Sequence, residues 1–137
     1  MKNTFLLSVL LVLVTTFTFA QESKYQLSSH ILDITQGQPA TGVKISLSKQ
    51  DKSGNWKSID EKLTDKNGRI NDFLKVENGI NHQGIYKLTY YTAPYFKLLA
   101  QESFYPLIEV VFELKDNNHY HVPITLSAFG YSTYRGN

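Results

Sequence analysis

The sequence predicts an all-β fold built as a sandwich of two sheets. Three observations point there. About seven or eight short stretches alternate apolar and polar residues, recurring at intervals of roughly 8–12 residues. Turn-forming Gly, Asn, Asp and Pro separate them. Only one stretch has helical spacing, and no repeat, low-complexity segment or linker divides the series.

Residues 1–20 stand apart from it. Lys2 is their only charge, Phe5 to Phe19 is almost wholly apolar or hydroxylated, and Thr18-Phe19-Ala20 offers small residues where a signal peptidase reads. This is the pattern of a secretory signal cleaved after Ala20. Its apolar core is shorter than the ~20 residues a membrane span needs. The expected organisation is therefore a signal peptide over residues 1–20 and one domain over residues 21–137. The chain has no cysteine, which excludes thiol catalysis, thiolate metal sites and disulfide stapling. Together with the short leader, this suits a bacterial periplasm. The formal charge is only +2 with Lys2 included, a balance that calls for neither nucleic acid nor an anionic membrane surface.

Gln26 to Ile34 reads as the first strand, with Leu27, Ser29 and Ile31 on one face and His30, Leu32 and Ile34 on the other. Gly37-Gln38-Pro39-Ala40 breaks it. Val43 to Ser48 is a period-two strand with a wet outer face, as in an antiparallel sheet. Asp51 to Asn55 is a turn by composition, and Trp56 to Leu63 reads as a third strand. Asp65-Lys66-Asn67-Gly68 turns the chain again, because Asn-Gly accommodates positive φ. Arg69 then opens a short strand through Phe73. Ile85 to Tyr91 puts Tyr86, Leu88 and Tyr90 on one face. Pro94 to Glu102 is the helical stretch, with Thr92 as its cap and Phe96, Leu99 and Ala100 spaced to pack. Tyr105 to Leu114 is a strong strand with Ile108, Val110, Phe112 and Leu114 inward. Asp116-Asn117-Asn118 leads into the final segment.

That segment, His119 to Asn137, is unusually rich in aromatic and reactive side chains for a chain end. Taken as strand, it sends Val122, Ile124 and Leu126 into the core and His119, His121, Pro123 and Thr125 the other way. Pro123 lacks the N–H of a central ladder, so an edge or bulge is expected there. Beyond a bend at Ala128-Phe129-Gly130, Ser132 and Tyr134 share one face, and Tyr131, Thr133 and Arg135 the other. His30 lies on a non-core face by the same alternation. Brought together with Arg69, His30 and His121 would make a site able to hold a planar anion and move protons near neutral pH. Other readings stay open. His119 and His121 could ligate zinc with His30, although no carboxylate stands out as an outer partner. His82, in a loop, is expected to be idle, and Tyr86, Tyr90, Tyr91 and Tyr95 to serve packing. No Gly-x-Ser-x-Gly elbow or Gly-rich phosphate loop occurs, which leaves serine-hydrolase and nucleotide readings without support.

Several motifs resemble a known family. Leu27-Ser28-Ser29-His30-Ile31-Leu32-Asp33 with Gly37-Gln38-Pro39-Ala40 resembles the N-terminal signature of the transthyretin-like 5-hydroxyisourate hydrolases. Thr64-Asp65-Lys66-Asn67-Gly68-Arg69 resembles their arginine turn. Tyr120-His121-Val122-Pro123 and Phe129-Gly130-Tyr131-Ser132-Thr133-Tyr134-Arg135-Gly136 resemble their C-terminal signature. The terminal Tyr-Arg-Gly is what separates these hydrolases from hormone-carrying transthyretins. Asn137 stands where many members end in serine, Ala128 where proline is usual, and Thr125 where an aliphatic residue is common.

The resemblance implies a sandwich of two four-stranded sheets with a short helix after the fifth strand. It implies a homotetramer with active sites at subunit interfaces, and hydrolysis of 5-hydroxyisourate to 2-oxo-4-hydroxy-4-carboxy-5-ureidoimidazoline without a cofactor or metal. By residue, His30, Arg69, His121 and Tyr134 match the catalytic positions, with His30, Arg69 and Tyr134 contacting substrate. Two alternatives remain at this stage: a transthyretin-like carrier without catalysis, and a zinc-binding periplasmic protein.

Overall fold

The computed structural model describes residues 24–137, so the expected signal segment lies outside the described residues. The strands are β1 (Tyr25–Asp33), β2 (Gln38–Pro39), β3 (Lys44–Gln50), β4 (Trp56–Leu63), β5 (Arg69–Lys75), β6 (Gly84–Tyr91), β7 (Ile108–Leu114), β8 (Tyr120–Ser127) and β9 (Gly130–Thr133), with one helix, α1 (Ala93–Leu98), between β6 and β7. One sheet runs β4-β3-β6-β7. In the other, β9, β8 and β1 are neighbours, and β5 and the two-residue β2 share the remaining side of β1. The two-sheet sandwich expected from the sequence is what forms. The stretch taken as a break, Gln38–Pro39, pairs with Leu32–Asp33 as β2.

β1 and β8 run parallel, with Ser28 beside His121 and His30 beside Pro123. Parallel neighbours need a long crossover, and here the chain builds the second sheet before returning. The first and last long strands thus come to lie side by side.

The core forms where the alternation placed it. Leu27, Ile31, Ile45, Leu47, Tyr86, Leu88, Tyr90, Ile108, Val110, Leu114, Val122, Ile124 and Leu126 are buried between the sheets. Ser29 is polar yet fully buried. Its hydroxyl donates to the Val122 carbonyl at 2.9 Å and lies 2.9 Å from the Tyr90 phenol, so no polar group is stranded. Phe112, expected inward, is only half-buried and stacks on Tyr86 at the rim.

Four local expectations need correction. β7 begins at Ile108 rather than Tyr105. The helix starts at Ala93 and ends at Leu98, and Thr92 does not cap it with its side chain; its hydroxyl instead donates to the Tyr105 carbonyl at 3.0 Å. Of the apolar positions expected to pack, only Phe96 is buried, while Leu99 and Ala100 are exposed. The helix stops because Ala100 adopts φ 53°. Gln101 N–H then reaches the Phe96 carbonyl and Ala100 N–H that of Lys97, a Schellman closure.

β5 carries a bulge that the sequence does not announce. Leu27 pairs with Phe73 but Ser29 with Ile70, so the register slips by one residue opposite Ser28. Ile70 and Phe73 have opposite parity, and only such a slip lets both face the core. It also leaves Arg69 directly across from His30.

Pro123 is buried in the interior of β8, not at an edge. The consequence falls on its other neighbour. Gly136 N–H donates to the His121 carbonyl at 2.9 Å, so Pro123 and Tyr134 would be the next hydrogen-bonded pair of this ladder. Pro123 has no N–H to give. β9 therefore ends at Thr133, whose hydroxyl donates to the Pro123 carbonyl at 2.9 Å, and pairing resumes at Gly136.

Candidate active site

The outward face of the β1–β8 sheet gathers the reactive side chains. His30 and Ser28 share a parity on β1, and the parallel register sets Ser28 against His121. Arg69 is the first residue of β5 and is set by the turn that precedes it. The Asp65 carboxylate accepts from the N–H groups of Asn67 at 2.8 Å and Arg69 at 2.9 Å, locking that turn. Gly68 is required there: its φ is +69°, and a Cβ would lie 2.6 Å from the Ile31 carbonyl oxygen. That carbonyl accepts from Ala40 N–H, while Ile31 N–H donates to the Gly68 carbonyl at 2.9 Å. The turn is thus stitched to β1, and Arg69 has little freedom to leave His30.

The imidazoles of His30 and His121 stack loosely, with centroids 6.5 Å apart and planes 24° from parallel. Both are partly buried. Burial lowers the pKa of each below the ordinary 6.5, and the Arg69 guanidinium lowers it further. For His30 the Asn67 backbone and the Asp65 carboxylate oppose the shift; for His121 His30 and His119 add to it. Both rings are consequently neutral at pH 7 and carry a lone pair. Among the described residues no carboxylate pairs with Arg69, so its charge is available to a ligand.

His121 is held from two sides. Its Nδ1 lies 2.8 Å from the Ser28 hydroxyl. Gly136 packs so close to the ring that a Cβ would sit 2.5 Å from Cδ2. The same Ser28 hydroxyl lies 2.9 Å from His119 Nε2, and His119 Nδ1 lies 3.0 Å from the Tyr25 carbonyl. His119 and His121 therefore both address a serine. Among the described residues no three His, Asp or Glu side chains gather to hold a metal ion.

Of the residues singled out in the sequence, the structure brings His30, Arg69 and His121 together. Tyr134 is on the same sheet by register, opposite Pro123, but its side chain is 61% exposed and hydrogen-bonds to none of the three. Arg135, which the sequence left without a role, lies over the Tyr120 ring at 4.8 Å. His82 reaches only the Lys75 carbonyl, at 2.9 Å. Ser28 was missed as a functional residue; its parity with His30 was the available signal. A cleft of ≈ 360 Å³ opens at the sheet edges, lined by Phe112, Tyr120, Tyr134 and Arg135 among others. It contains none of His30, Arg69 or His121. The cluster of His30, Arg69 and His121 marks the chemistry, because it is there that two imidazoles with lowered pKa lie beside an unpaired guanidinium.

Residues 27–136 match the model of the HIUase/Transthyretin family. The chain belongs to the HIUase/transthyretin family. His30, Arg69, His121, Tyr134 and Gly136 all fall within the matched span. A probable 5-hydroxyisourate hydrolase of Caenorhabditis elegans is 44% identical over 126 residues, covering 88% of each chain. The solved 5-hydroxyisourate hydrolase of Klebsiella pneumoniae is 34% identical with a TM-score of 0.67, over 81% of this chain and 98% of that one. The transthyretin of Sparus aurata superposes with a TM-score of 0.74 at 28% identity, over 82% of this chain and 97% of that one. Both branches of the family thus share this backbone, and the side chains must distinguish them.

Proposed function

We propose that this protein hydrolyses 5-hydroxyisourate, opening an amide bond of the six-membered ring to give 2-oxo-4-hydroxy-4-carboxy-5-ureidoimidazoline, with no cofactor. One observation carries the reading: an Arg69 guanidinium without a carboxylate partner shares one face with two stacked, partly buried imidazoles whose pKa that burial and that charge lower. The similarity to hydrolases over most of the chain supports it. A carrier of apolar ligands has no use for such a face, since leaving a charge and two imidazoles beside an apolar ligand costs desolvation without return.

In this reading Arg69 binds the planar anionic substrate through paired N–H donors and offsets charge developing on the carbonyl oxygen. His30 and His121 position a water and remove its proton as it attacks. Tyr134 supplies a hydrogen bond and a wall once the site closes. The exposure of Tyr134 and the open outer side of the cluster fit a homotetramer in which a second subunit covers each site; light scattering on purified protein tests this. Export by the segment over residues 1–20 to the periplasm is part of the same proposal, and N-terminal sequencing of the protein recovered from a periplasmic fraction tests it.

The decisive experiment follows freshly generated 5-hydroxyisourate spectroscopically, with and without a chelator. The wild-type protein accelerates its loss in both. His30→Ala and His121→Ala each lower the rate by about 10²–10⁴-fold, the usual contribution of a positioned acid or base. Wild-type decay rates in both variants would exclude this assignment.

A further inference from the structure

We infer that Ser28 and His119 are positioning residues that fix the tautomer of His121, placing its proton on Nδ1 and leaving Nε2 as the bare, basic nitrogen. The inference rests on the hydrolytic reading above for its catalytic meaning, although the tautomer itself does not depend on that reading.

A directed hydrogen-bond chain with one fixed end sets this tautomer. The Tyr25 carbonyl can only accept, so His119 Nδ1, 3.0 Å away, must carry the proton that it donates. In neutral His119 the other nitrogen, Nε2, is then an acceptor. Ser28 Oγ lies 2.9 Å from it and must donate. A hydroxyl has one proton, so toward His121 Nδ1, at 2.8 Å, Ser28 Oγ can only accept. His121 therefore holds its proton on Nδ1. The opposite arrangement would set two lone pairs against each other at 2.9 Å between Ser28 and His119. Among the described residues His121 Nε2 has no hydrogen-bond partner, so it is free for water or substrate.

The surroundings make this chain the deciding influence. Ser28 is buried, which keeps water from competing for its hydroxyl. The charged or titratable groups acting on His121 are His30 on β1, Arg69 on β5 and His119 just before β8. From the C-terminal segment comes the uncharged Gly136, while Arg135 is turned onto Tyr120. None of these hydrogen-bonds to either ring nitrogen of His121. Protonation of His119 would reverse the chain: Nε2–H would donate to Ser28, whose hydroxyl would turn to His121 Nδ1 and move the His121 proton to Nε2. A base would become a donor.

The test is nitrogen-15 NMR of the histidine rings in the full mature protein at pH 8, beside steady-state kinetics. Wild type is expected to show His121 in the Nδ1–H form. Ser28→Ala and His119→Ala are expected to show His121 shifted toward the Nε2–H form. Each is expected to lower kcat by roughly ten- to hundredfold with KM little changed, the scale of lost outer-sphere orientation. Ser28→Thr, which keeps the hydroxyl, is expected to restore both the tautomer and most of the rate. A wild-type His121 protonated on Nε2 would overturn the inference, as would an unchanged tautomer in both alanine variants. Thermal melts check that the variants are folded, and the wild-type spectrum decides the question even if one is not. A protein with the expected tautomer but no hydrolysis of 5-hydroxyisourate would sink the functional reading and leave the hydrogen-bond chain standing.

Discussion

Gly136 and His121 are in van der Waals contact across the last pairing of the chain: Gly136 N–H donates to the His121 carbonyl at 2.9 Å, and its Cα packs beside the imidazole. Space rather than backbone conformation makes glycine necessary. A methyl here would come within 2.5 Å of Cδ2 and 3.2 Å of Cγ, so either the ring or the chain end must move. Gly136→Ala is therefore expected to lower kcat/KM by about 10²-fold, the cost of a misplacement near 1 Å. The melting temperature should change little, since most of the residues after Gly130 are exposed. Substrate decay and a thermal melt on the same preparation check this. Retention of full activity would show that the ring position is not set by Gly136.

Arg69 acts on both histidines through its charge as well as on substrate. It lowers the pKa of His30 and of His121. Arg69→Gln removes that influence, so both values rise and the acid limb of the kcat/KM profile moves to higher pH. Substrate binding weakens at the same time. Arg69→Lys keeps the charge but loses the planar fork; its acid limb should stay near that of wild type while KM increases. Identical shifts of the limb in both variants would show that charge is not what depresses the histidines.

The same two rings make stability pH-dependent. Their folded values lie below 6.5, whereas in the unfolded chain they titrate near 6.5. Between those values the unfolded chain binds more protons, so unfolding free energy falls as pH drops through about 6.5 and levels off below the folded values. The carboxylates of Asp51 and Asp116, lowered from 3.8 chiefly by backbone hydrogen bonds, enter only in the more acidic range. Urea midpoints at pH 7.5 and pH 5.5 should differ in that sense, and His30→Gln with His121→Gln should flatten the difference. A midpoint that rises on acidification would contradict the sign.

Parity along each strand was legible in the sequence, because burial imposes a period of two wherever one face is dry. It placed His30, His121 and the core residues of β8 correctly. Neighbourhood was not legible. That β8 lies parallel to β1, with Ser28 beside His121, depends on the path of the intervening chain. The bulge in β5 escaped for a related reason, since Ile70 and Phe73 look like broken alternation until the slip opposite Ser28 is known. Pro123 carried a real signal, a missing donor, but the sequence could not say which neighbour would feel the loss. Ser28 shared the parity of His30, but its place beside His121 depended on that same unseen pairing.

The helix end was misjudged because the residue in the left-handed position is not glycine. Ala100 has φ 53° and closes the Schellman turn, a conformation costing an L-residue about 1–2 kcal/mol. Glycine removes that strain, and its larger unfolded-state entropy offsets about 0.5–1 kcal/mol. Ala100→Gly is thus expected to stabilise the domain by about 0.5–1 kcal/mol, a rise in Tm of a few degrees at this size. Ala100 is exposed and outside the His30–Arg69–His121 cluster, so kcat/KM should be unaffected. Paired thermal melts decide it: a lower Tm in the glycine variant would mean that Ala100 does not occupy the left-handed region in solution.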